Sequence, residues 1–293
     1  MKTDSKKIRI LVSGKRGILS TTVANYLKLK DDIEVEQISL RDALWRKEDF
    51  QKYDTIVHIA GLIPKSEIEN EEYYQVNVDL TKEFARKAKN DGIKHFIYLS
   101  SMSVYGMSQQ MQKQRGCITK ETSCLPVSDY GKSKLLAEKK LQELEDDFFK
   151  VTIIRAPSIY GKGMTAYLEQ YRYLNRKFFV LPDVFRKHYK SAIYVDNLSE
   201  LIYLLIEKKE CGIYCPDDGK YASIDYCVMI SPKKCKSRIV GFLIEKIFSK
   251  NDRIRSYFGA IYYEEELARA FDGTYRVCNI QKAIATSYEA GQF

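Results

Sequence analysis

What most constrains this chain is a regular alternation of strand-length apolar runs with helical stretches through its first two-thirds. Ile8–Val12 reads as a buried strand and Thr21–Lys30 as the helix after it. Val35–Leu40 and Thr55–Ala60 are further strands, Asn77–Asn90 is helical up to an Asp91-Gly92 stop, and His95–Ser100 is again a strand. Ser133–Leu144 is helical, Val151–Ile154 a strand and Leu198–Glu207 a helix. Strands that each need a helical return run parallel with right-handed crossovers, so the pattern implies an α/β fold, a Rossmann-type doubly wound parallel sheet. After about Ile213 the regularity is lost. The expected division is a dinucleotide-binding lobe over residues 1–157 with a return segment at 190–206, and a smaller C-terminal substrate-binding lobe from 158–189 and 207–293.

In such a sheet the first strand-to-helix turn is the phosphate-binding position. Here it reads Ser13-Gly14-Lys15-Arg16-Gly17-Ile18-Leu19-Ser20. Two glycines let the backbone turn sharply and approach a pyrophosphate, whose charge a helix N-terminus favours; the third position of the pattern is Ser20, small but not glycine. An NAD site usually places an acid near the end of the second strand, to hold the adenosine ribose. This chain has Ile38-Ser39-Leu40-Arg41 there. Arg16 and Arg41 are suited to a 2′-phosphate and point to NADP, while Asp42, one residue further, keeps NAD open. Gly14, Arg16, Gly17, Ile18, Ser39 and Arg41 are the candidate cofactor contacts of this half.

A second constellation lies in Asp129-Tyr130-Gly131-Lys132-Ser133-Lys134. Tyr130 and Lys134 are four residues apart and share one face if this opens a helix. A free phenol, with a pKa of about 10, is a poor base at neutral pH; a neighbouring ammonium favours the phenolate and makes Tyr130 a usable acid/base. The alternative is chance, since the chain holds 22 tyrosines. Upstream, the strand His95–Ser100 runs into Ser101-Met102-Ser103-Val104-Tyr105-Gly106. Hydroxyls at that carboxyl end point toward a cleft, so Ser101 and Ser103 are candidates to hold a reacting substrate hydroxyl, with turn formation as the plainer reading.

Taken in order, these residues resemble the extended short-chain dehydrogenases, the NAD-dependent epimerase/dehydratase family of nucleotide-sugar enzymes. The resemblance runs from Ile8 to about Tyr214. It includes the Gly14/Gly17 loop, Asp54–Gly61, Tyr74–Val78, Ser100–Gly106, Tyr130/Lys134, Arg155–Gly161 and Tyr194–Leu198. It implies a nicotinamide dinucleotide, with Ala60, Gly61, Asn77, Ser100 and Pro157 beside it. Ser101 becomes the substrate-positioning hydroxyl, Tyr130 the acid/base, and Lys134 the ribose and pKa partner. Ser158 stands where an Asn is usual, Lys190 near a common Arg and Tyr194 where His is common; Ser103, Ser158 and Lys190 complete the expected substrate contacts. Homodimerisation is a family expectation.

Among the family's reactions, 4,6-dehydration requires an Asp–Glu pair just after the position of Ser101. Met102 and Ser103 stand there instead and disfavour it. A 4-epimerase oxidises C4 and returns hydride to the other face with a retained dinucleotide; Ser101, Tyr130 and Lys134 suffice. A 4-keto-sugar reductase uses the same groups with exchanging NADPH. The two arginines and the short Ser39–Asp54 connection favour the reductase, and the overall motif order favours the epimerase. A non-catalytic dinucleotide sensor is the alternative of another class.

Composition narrows the setting. Seven cysteines without a repeated CxxC, and only three histidines, His58, His95 and His188, favour reduced thiols and no metal site. Cys227 and Cys235 lack a third ligand at sensible spacing. The formal charge of +9 is spread along the chain with short clusters such as Lys233–Lys236, which suits a solvated surface better than nucleic-acid binding. No apolar run approaches the roughly 18 residues of a membrane span, and Arg238–Phe248, although amphipathic, reads as core-facing rather than membrane-bound. With a polar start from Met1 to Lys7, the expected location is the cytoplasm.

Overall fold

The computed structural model describes residues 7–65, 67–106, 116–164, 166–177, 179–182, 189–231, 236–248 and 259–288. Met1–Lys6 apart from their sequence, His188, Cys235 and residues 233–235 of the basic cluster lie outside them.

Six parallel strands form the central sheet: β1 (Ile8–Ser13), β2 (Ile33–Ile38), β3 (Thr55–His58), β4 (His95–Ser101), β5 (Lys150–Ala156) and β6 (Gly212–Tyr214), in the spatial order β6-β5-β4-β3-β1-β2. The order reverses at β1, with β2 on one side and β3 on the other, and that is where doubly wound sheets open a ligand crevice. β6 lies beyond the expected 190–206 return and still joins the sheet, as its outer strand beside β5.

Both faces of the sheet are covered, and side-chain alternation sorts the core into two layers. Ile10, Val12, Ile97, Leu99 and Ile154 pack toward helices α1 (Ile18–Leu27) and α4 (Val195–Lys208). Leu11, Phe96, Tyr98, Val151 and Ile153 pack toward α2 (Thr81–Asn90) and α3 (Asp129–Gln142). α1 begins three residues earlier than its apolar periodicity suggests, because the chain turns helical directly after Gly17. α2 is preceded by a π-helical turn, Gln75–Leu80, which buries Asn77.

The short connection between β2 and β3 holds neither a full helix nor an extra strand. Asp42 caps a single 3₁₀ turn, Ala43–Lys47, by accepting from the Leu44 N–H at 3.0 Å. That turn seats the chain's one tryptophan, Trp45, edge-on against Phe84 of α2 at 5.4 Å.

The C-terminal half is built differently. Helices Ala166–Lys177, Ser223–Ile230 and Ile280–Ser287 are joined by two- and three-residue strand pairs such as Ser158–Tyr160 with Ala192–Tyr194 and Tyr189–Lys190 with Tyr221–Ala222. Strands that short have no period to read in a sequence. Arg238–Phe248 is helical, and Ile239 is 76% and Phe242 63% exposed, so the core-facing reading fails for these two positions.

Candidate active site

The loop after β1 is shaped by its glycines. Gly14 has φ +104°, a left-handed conformation that L side chains rarely adopt, and its N–H donates to the Ile38 carbonyl at 2.8 Å. Ser20 is buried, and its hydroxyl donates to the Gly14 carbonyl and, at 3.0 Å, to the Gly17 carbonyl. A Cβ would come within 2.9 Å of the Ser20 oxygen at Gly14 and 2.7 Å at Gly17. The serine in the third position therefore fills the gap between the two glycines and ties the loop to α1. Gly17 caps α1 with no side chain, and the first turn, with exposed Ile18, carries no acid, leaving N–H groups and a positive dipole end for an anion. Arg16 and Arg41 are exposed, Ser39 accepts from the Arg41 N–H at 3.3 Å, and the Asp42 carboxylate is engaged by Leu44.

The ends of β1 and β3 are latched by groups that the motif search passed over. Ser13 accepts from the N–H groups of Ile59 and Ala60, both at 3.0 Å, and so donates its own proton to His58 Nδ1 at 2.8 Å. His58 Nε2–H then donates to Thr81 Oγ1 at 2.9 Å, at the start of α2. Burial holds His58 neutral, its pKa depressed to about 3, with the nearby Lys134 ammonium acting in the same direction. The signal was present: His58 stands inside the Asp54–Gly61 motif. Asn77 continues the scaffold. Its Oδ1 accepts from Leu62 N–H at 2.8 Å, and its amide donates to Leu62 O at 3.3 Å and Ser133 at 3.2 Å. Asn77 thus shapes the loop that carries Ala60 and Gly61 from the inside.

α3 starts where it does because the Ser128 hydroxyl caps it, accepting from Gly131 N–H at 3.1 Å. A Cβ at Gly131 would come within 2.6 Å of the Ser103 carbonyl, so the glycine lets the helix start nest against the turn after β4. This approach brings Tyr130 close to Ser101, whose hydroxyl acts to lower the pKa of the phenol. Ser101 also donates to Ser103 Oγ and accepts from Ser103 N–H, each at 3.1 Å. Tyr73 stands edge-on to the Tyr130 ring at 6.0 Å.

Lys134 lies on the same face of α3 and is buried. Its ammonium donates to the Leu99 carbonyl at 2.9 Å and sits 4.7 Å over the Tyr98 ring. The amine-driven acidification expected from the four-residue spacing is not what sets the phenol. Burial is the dominant influence and raises the Tyr130 pKa, with Ser101 opposing and Tyr73 adding to the rise. Lys134 itself is lowered to about 8 by burial, against the pull of Glu138.

Other expected contacts are spread more widely. Ser100 is buried and donates to Glu138. Pro157 is buried between β5 and Ser158–Tyr160; Ser158 is exposed. Lys190 is buried in its own strand pair with Tyr221, its pKa lowered by burial to about 8. The structure thus brings Ser101, Ser103, Tyr130 and Lys134 together at the carboxyl end of β4 and holds Ser158 and Lys190 on separate strand pairs. A cleft of about 550 Å³ is lined by Tyr130 together with Pro64, Lys65, Tyr73, Ser128 and Asp129.

Comparison with known proteins agrees with this geometry. The model of the NAD dependent epimerase/dehydratase family matches residues 10–213, well over half of the chain. A UDP-glucose 4-epimerase of Vibrio cholerae is 29% identical over 236 residues, covering 72% of this chain and 70% of the relative. Another relative, the N-acetyl-alpha-D-glucosaminyl-diphospho-ditrans,octacis-undecaprenol 4-epimerase of Escherichia coli O157:H7, is matched over 54% of its own length. The Bordetella bronchiseptica enzyme WbmG, solved in complex with NAD, superposes with a TM-score of 0.69 at 14% identity, over 98% of this chain and 94% of that one. The dTDP-4-dehydrorhamnose reductase of Bacillus anthracis, in complex with NADP, gives 0.62 at 19% identity, over 89% and 86%. At these identities the two structures speak to the fold alone. A family match across the sheet and the Tyr130 helix, on a chain whose loop and strand ends have the geometry above, makes this protein a member of the NAD dependent epimerase/dehydratase family, an enzyme of the extended short-chain dehydrogenase type.

Proposed function

We propose that this chain is a nucleotide-sugar 4-epimerase of the UDP-hexose class, working by transient oxidation at C4. The observation that carries the reading is the gathering of Ser101, Tyr130 and Lys134 at the carboxyl end of β4, with Tyr130 lining the cleft and the Lys134 ammonium close to Gly61. The Vibrio cholerae relative supports the same class. The loop suits a nicotinamide dinucleotide: Gly14 and Gly17 have no room for a side chain, and the bare first turn of α1 suits a diphosphate. Gly14, Gly17 and Ile18 would hold the pyrophosphate end, Ala60 and Gly61 the middle, and Lys134 the nicotinamide ribose.

When bound, that group would supply a reversible hydride acceptor for the sugar carbon. The chain's own residues move the proton. Ser101 orients the C4 hydroxyl and Tyr130 Oη takes its proton, then returns it when hydride comes back to the opposite face. Burial keeps the proton on Tyr130 in the free protein, so the base form has to be generated with the cleft filled. Ser103 steadies Ser101. Neither Met102 nor Ser103 carries a carboxyl group, which supports epimerisation over dehydration.

A second reading, a 4-keto-sugar reductase using NADPH, is favoured by two observations. The protonated Tyr130 is already the acid a ketone oxygen requires. The Asp42 carboxylate is engaged in its cap, while Arg16 and Arg41 are exposed and suited to a 2′-phosphate. One experiment separates the two. Purified protein given UDP-galactose or UDP-N-acetylgalactosamine, with no added cofactor, is expected to form the 4-epimer. No product there, together with NADPH consumption on a nucleotide 4-keto sugar, rejects the epimerase in favour of the reductase.

A further inference from the structure

Tyr130, Lys134 and Glu138 follow one another at four-residue intervals on α3, along one face. Glu138 is 1% exposed, an uncommon position for a carboxylate. It is fully engaged there. Ser100 at the end of β4 donates to it, and Arg155 of β5 clamps it, with Nη2 at 2.7 Å from Oε2 and Nε at 3.2 Å from both oxygens. Arg155 Nη1 in turn donates to Tyr105 Oη at 2.9 Å, on the 3₁₀ turn that carries Ser103, and its backbone carbonyl accepts from Tyr263 Oη at 2.6 Å. One carboxylate therefore joins the helix of Tyr130 to the strand and turn that present Ser101.

Stability does not by itself account for such a pair. Replacing a buried ion pair by apolar groups of similar volume is often neutral or stabilising, because desolvation offsets the attraction between the charges. What apolar packing lacks is direction and charge. We propose that Glu138 is a positioning residue for the Tyr130–Lys134 pair: clamped by Arg155 and Ser100, it sets the roll of α3 against β4 and supplies the negative charge that the buried Lys134 ammonium faces.

The surroundings of Lys134 support this. From β4 it meets the Leu99 carbonyl and the Tyr98 ring, which burial keeps as a neutral phenol. From β3 it meets His58, held neutral by burial. On its own helix stand Tyr130, protonated, and Glu138. Glu138 is the group that opposes the burial of the ammonium, and with that opposition in place burial still lowers the Lys134 pKa to about 8. Removing the carboxylate lets Lys134 lose its proton at a lower pH.

The inference rests on the roles of Tyr130 and Lys134 proposed above, and its test has a readout that does not. Glu138→Gln and the double variant Glu138→Gln/Arg155→Met are prepared in the full chain with ¹⁵N-labelled lysine. The Lys134 signal, assigned by its loss in Lys134→Arg, is titrated, and kcat/KM is measured against pH. The double variant leaves no unpaired buried charge, so it serves if the single variant does not fold. The expected result is a Lys134 titration about one pH unit lower in Glu138→Gln, a tenfold smaller charged-to-neutral ratio, with the alkaline limb of kcat/KM moving by the same amount; the double variant, which also removes the Arg155 charge, shifts both in the same direction by less. A titration or an alkaline limb that stays in place overturns the proposal; a residue that only holds the fold together would lower the melting temperature and leave both fixed. Tyr130→Phe, assayed alongside, reports separately on the reading of the site: undiminished turnover there rejects that reading, while the Lys134 titration remains a direct measure of the counter-charge.

Discussion

The carboxyl edge of the parallel sheet and the C-terminal half both bury many polar groups, and they use them in opposite ways. At the strand ends, Ser13, Asn77 and Ser20 bond to backbone and His58 bridges the Ser13 and Thr81 hydroxyls, leaving the glycines, the helix N–H groups and Tyr130 for the site. In the C-terminal half two adjacent carboxylates act as inward hubs. Asp217 accepts from Ser191 at 2.5 Å, Gly219 N–H at 2.9 Å and Arg276 at 2.9 Å. Asp218 accepts from Tyr160 at 2.6 Å and from Tyr194 N–H and Asn197 at 2.8 Å. Around them Tyr167, Tyr171 and Tyr226 pack ring on ring, with Tyr171 and Tyr226 stacked at 5.1 Å. The first region uses hydrogen bonds to present a surface, and the second uses them in place of long strands. Substitutions in the first should act on chemistry and binding, and in the second on stability.

The largest test of that contrast is Tyr130→Phe. Removing one hydroxyl from the cleft should lower kcat by about 10²–10⁴-fold, with the thermal midpoint essentially unchanged; a large melting shift with intact turnover would reverse the assignment. Asp218→Ala is the counterpart. It strands the Tyr160 hydroxyl, the Asn197 amide and the Tyr194 N–H, and should cost about 3 kcal/mol in urea unfolding, while the folded fraction keeps kcat within about threefold. Gly14→Ala is expected to weaken dinucleotide binding roughly tenfold, since it forces a side chain into a left-handed conformation against Ser20. Titrating NADH and NADPH by fluorescence reads that loss. The same titration on Arg41→Ala should reduce preference for NADPH over NADH several-fold, a modest change because the guanidinium is exposed. Unchanged discrimination would remove Arg41 from 2′-phosphate recognition.

The smallest net effect is in acid, where the two regions oppose each other. His58 titrates near 3 in the fold against an ordinary 6.5, so the unfolded chain binds its proton more readily and this contribution to stability is lost as pH falls from 6.5 toward 3. Asp218 is pushed up to about 6 by burial from an ordinary 3.8, so its contribution is complete below 3.8 and is lost as pH rises through about 6. Between about pH 6 and 4 the slopes offset, each at most about 1.4 kcal/mol per pH unit. Urea midpoints across that range should fall more gently with acid in His58→Gln than in the parent, and more steeply in Asp218→Asn. Parallel curves for all three proteins would count against both assignments.

Much of the strand-end region was legible in the sequence because its signals are local. Strand period, glycine spacing and the four-residue step from Tyr130 to Lys134 are properties of a short stretch of backbone, and each reappears in β1, the Gly14–Gly17 loop and α3. Ser100 and Asn77, expected beside the dinucleotide, have side chains turned inward, since their partners, Glu138, Leu62 and Ser133, come from distant segments. Glu138 itself carried a signal that went unread, a carboxylate one further helical step from Lys134, but spacing alone does not distinguish a solvated glutamate from a buried one. The C-terminal half was illegible for a different reason: strands of two or three residues leave no periodicity, and the Asp217–Asp218 hubs gather partners from Tyr160 to Arg276.

By itself the sequence determined the parallel α/β sheet, the sharp glycine turn at Gly14 and Gly17, and the shared helix face of Tyr130 and Lys134, because backbone geometry repeats over a few residues. Only the tertiary structure decided where Lys134 places its ammonium, that the Tyr130 phenol is held protonated, and that a buried carboxylate stands behind them. Those outcomes are sums over neighbours far apart in the chain, Leu99, Tyr98, Ser101, Tyr73 and Arg155, and desolvation, the largest of the influences on both groups, exists only once those neighbours have closed around them.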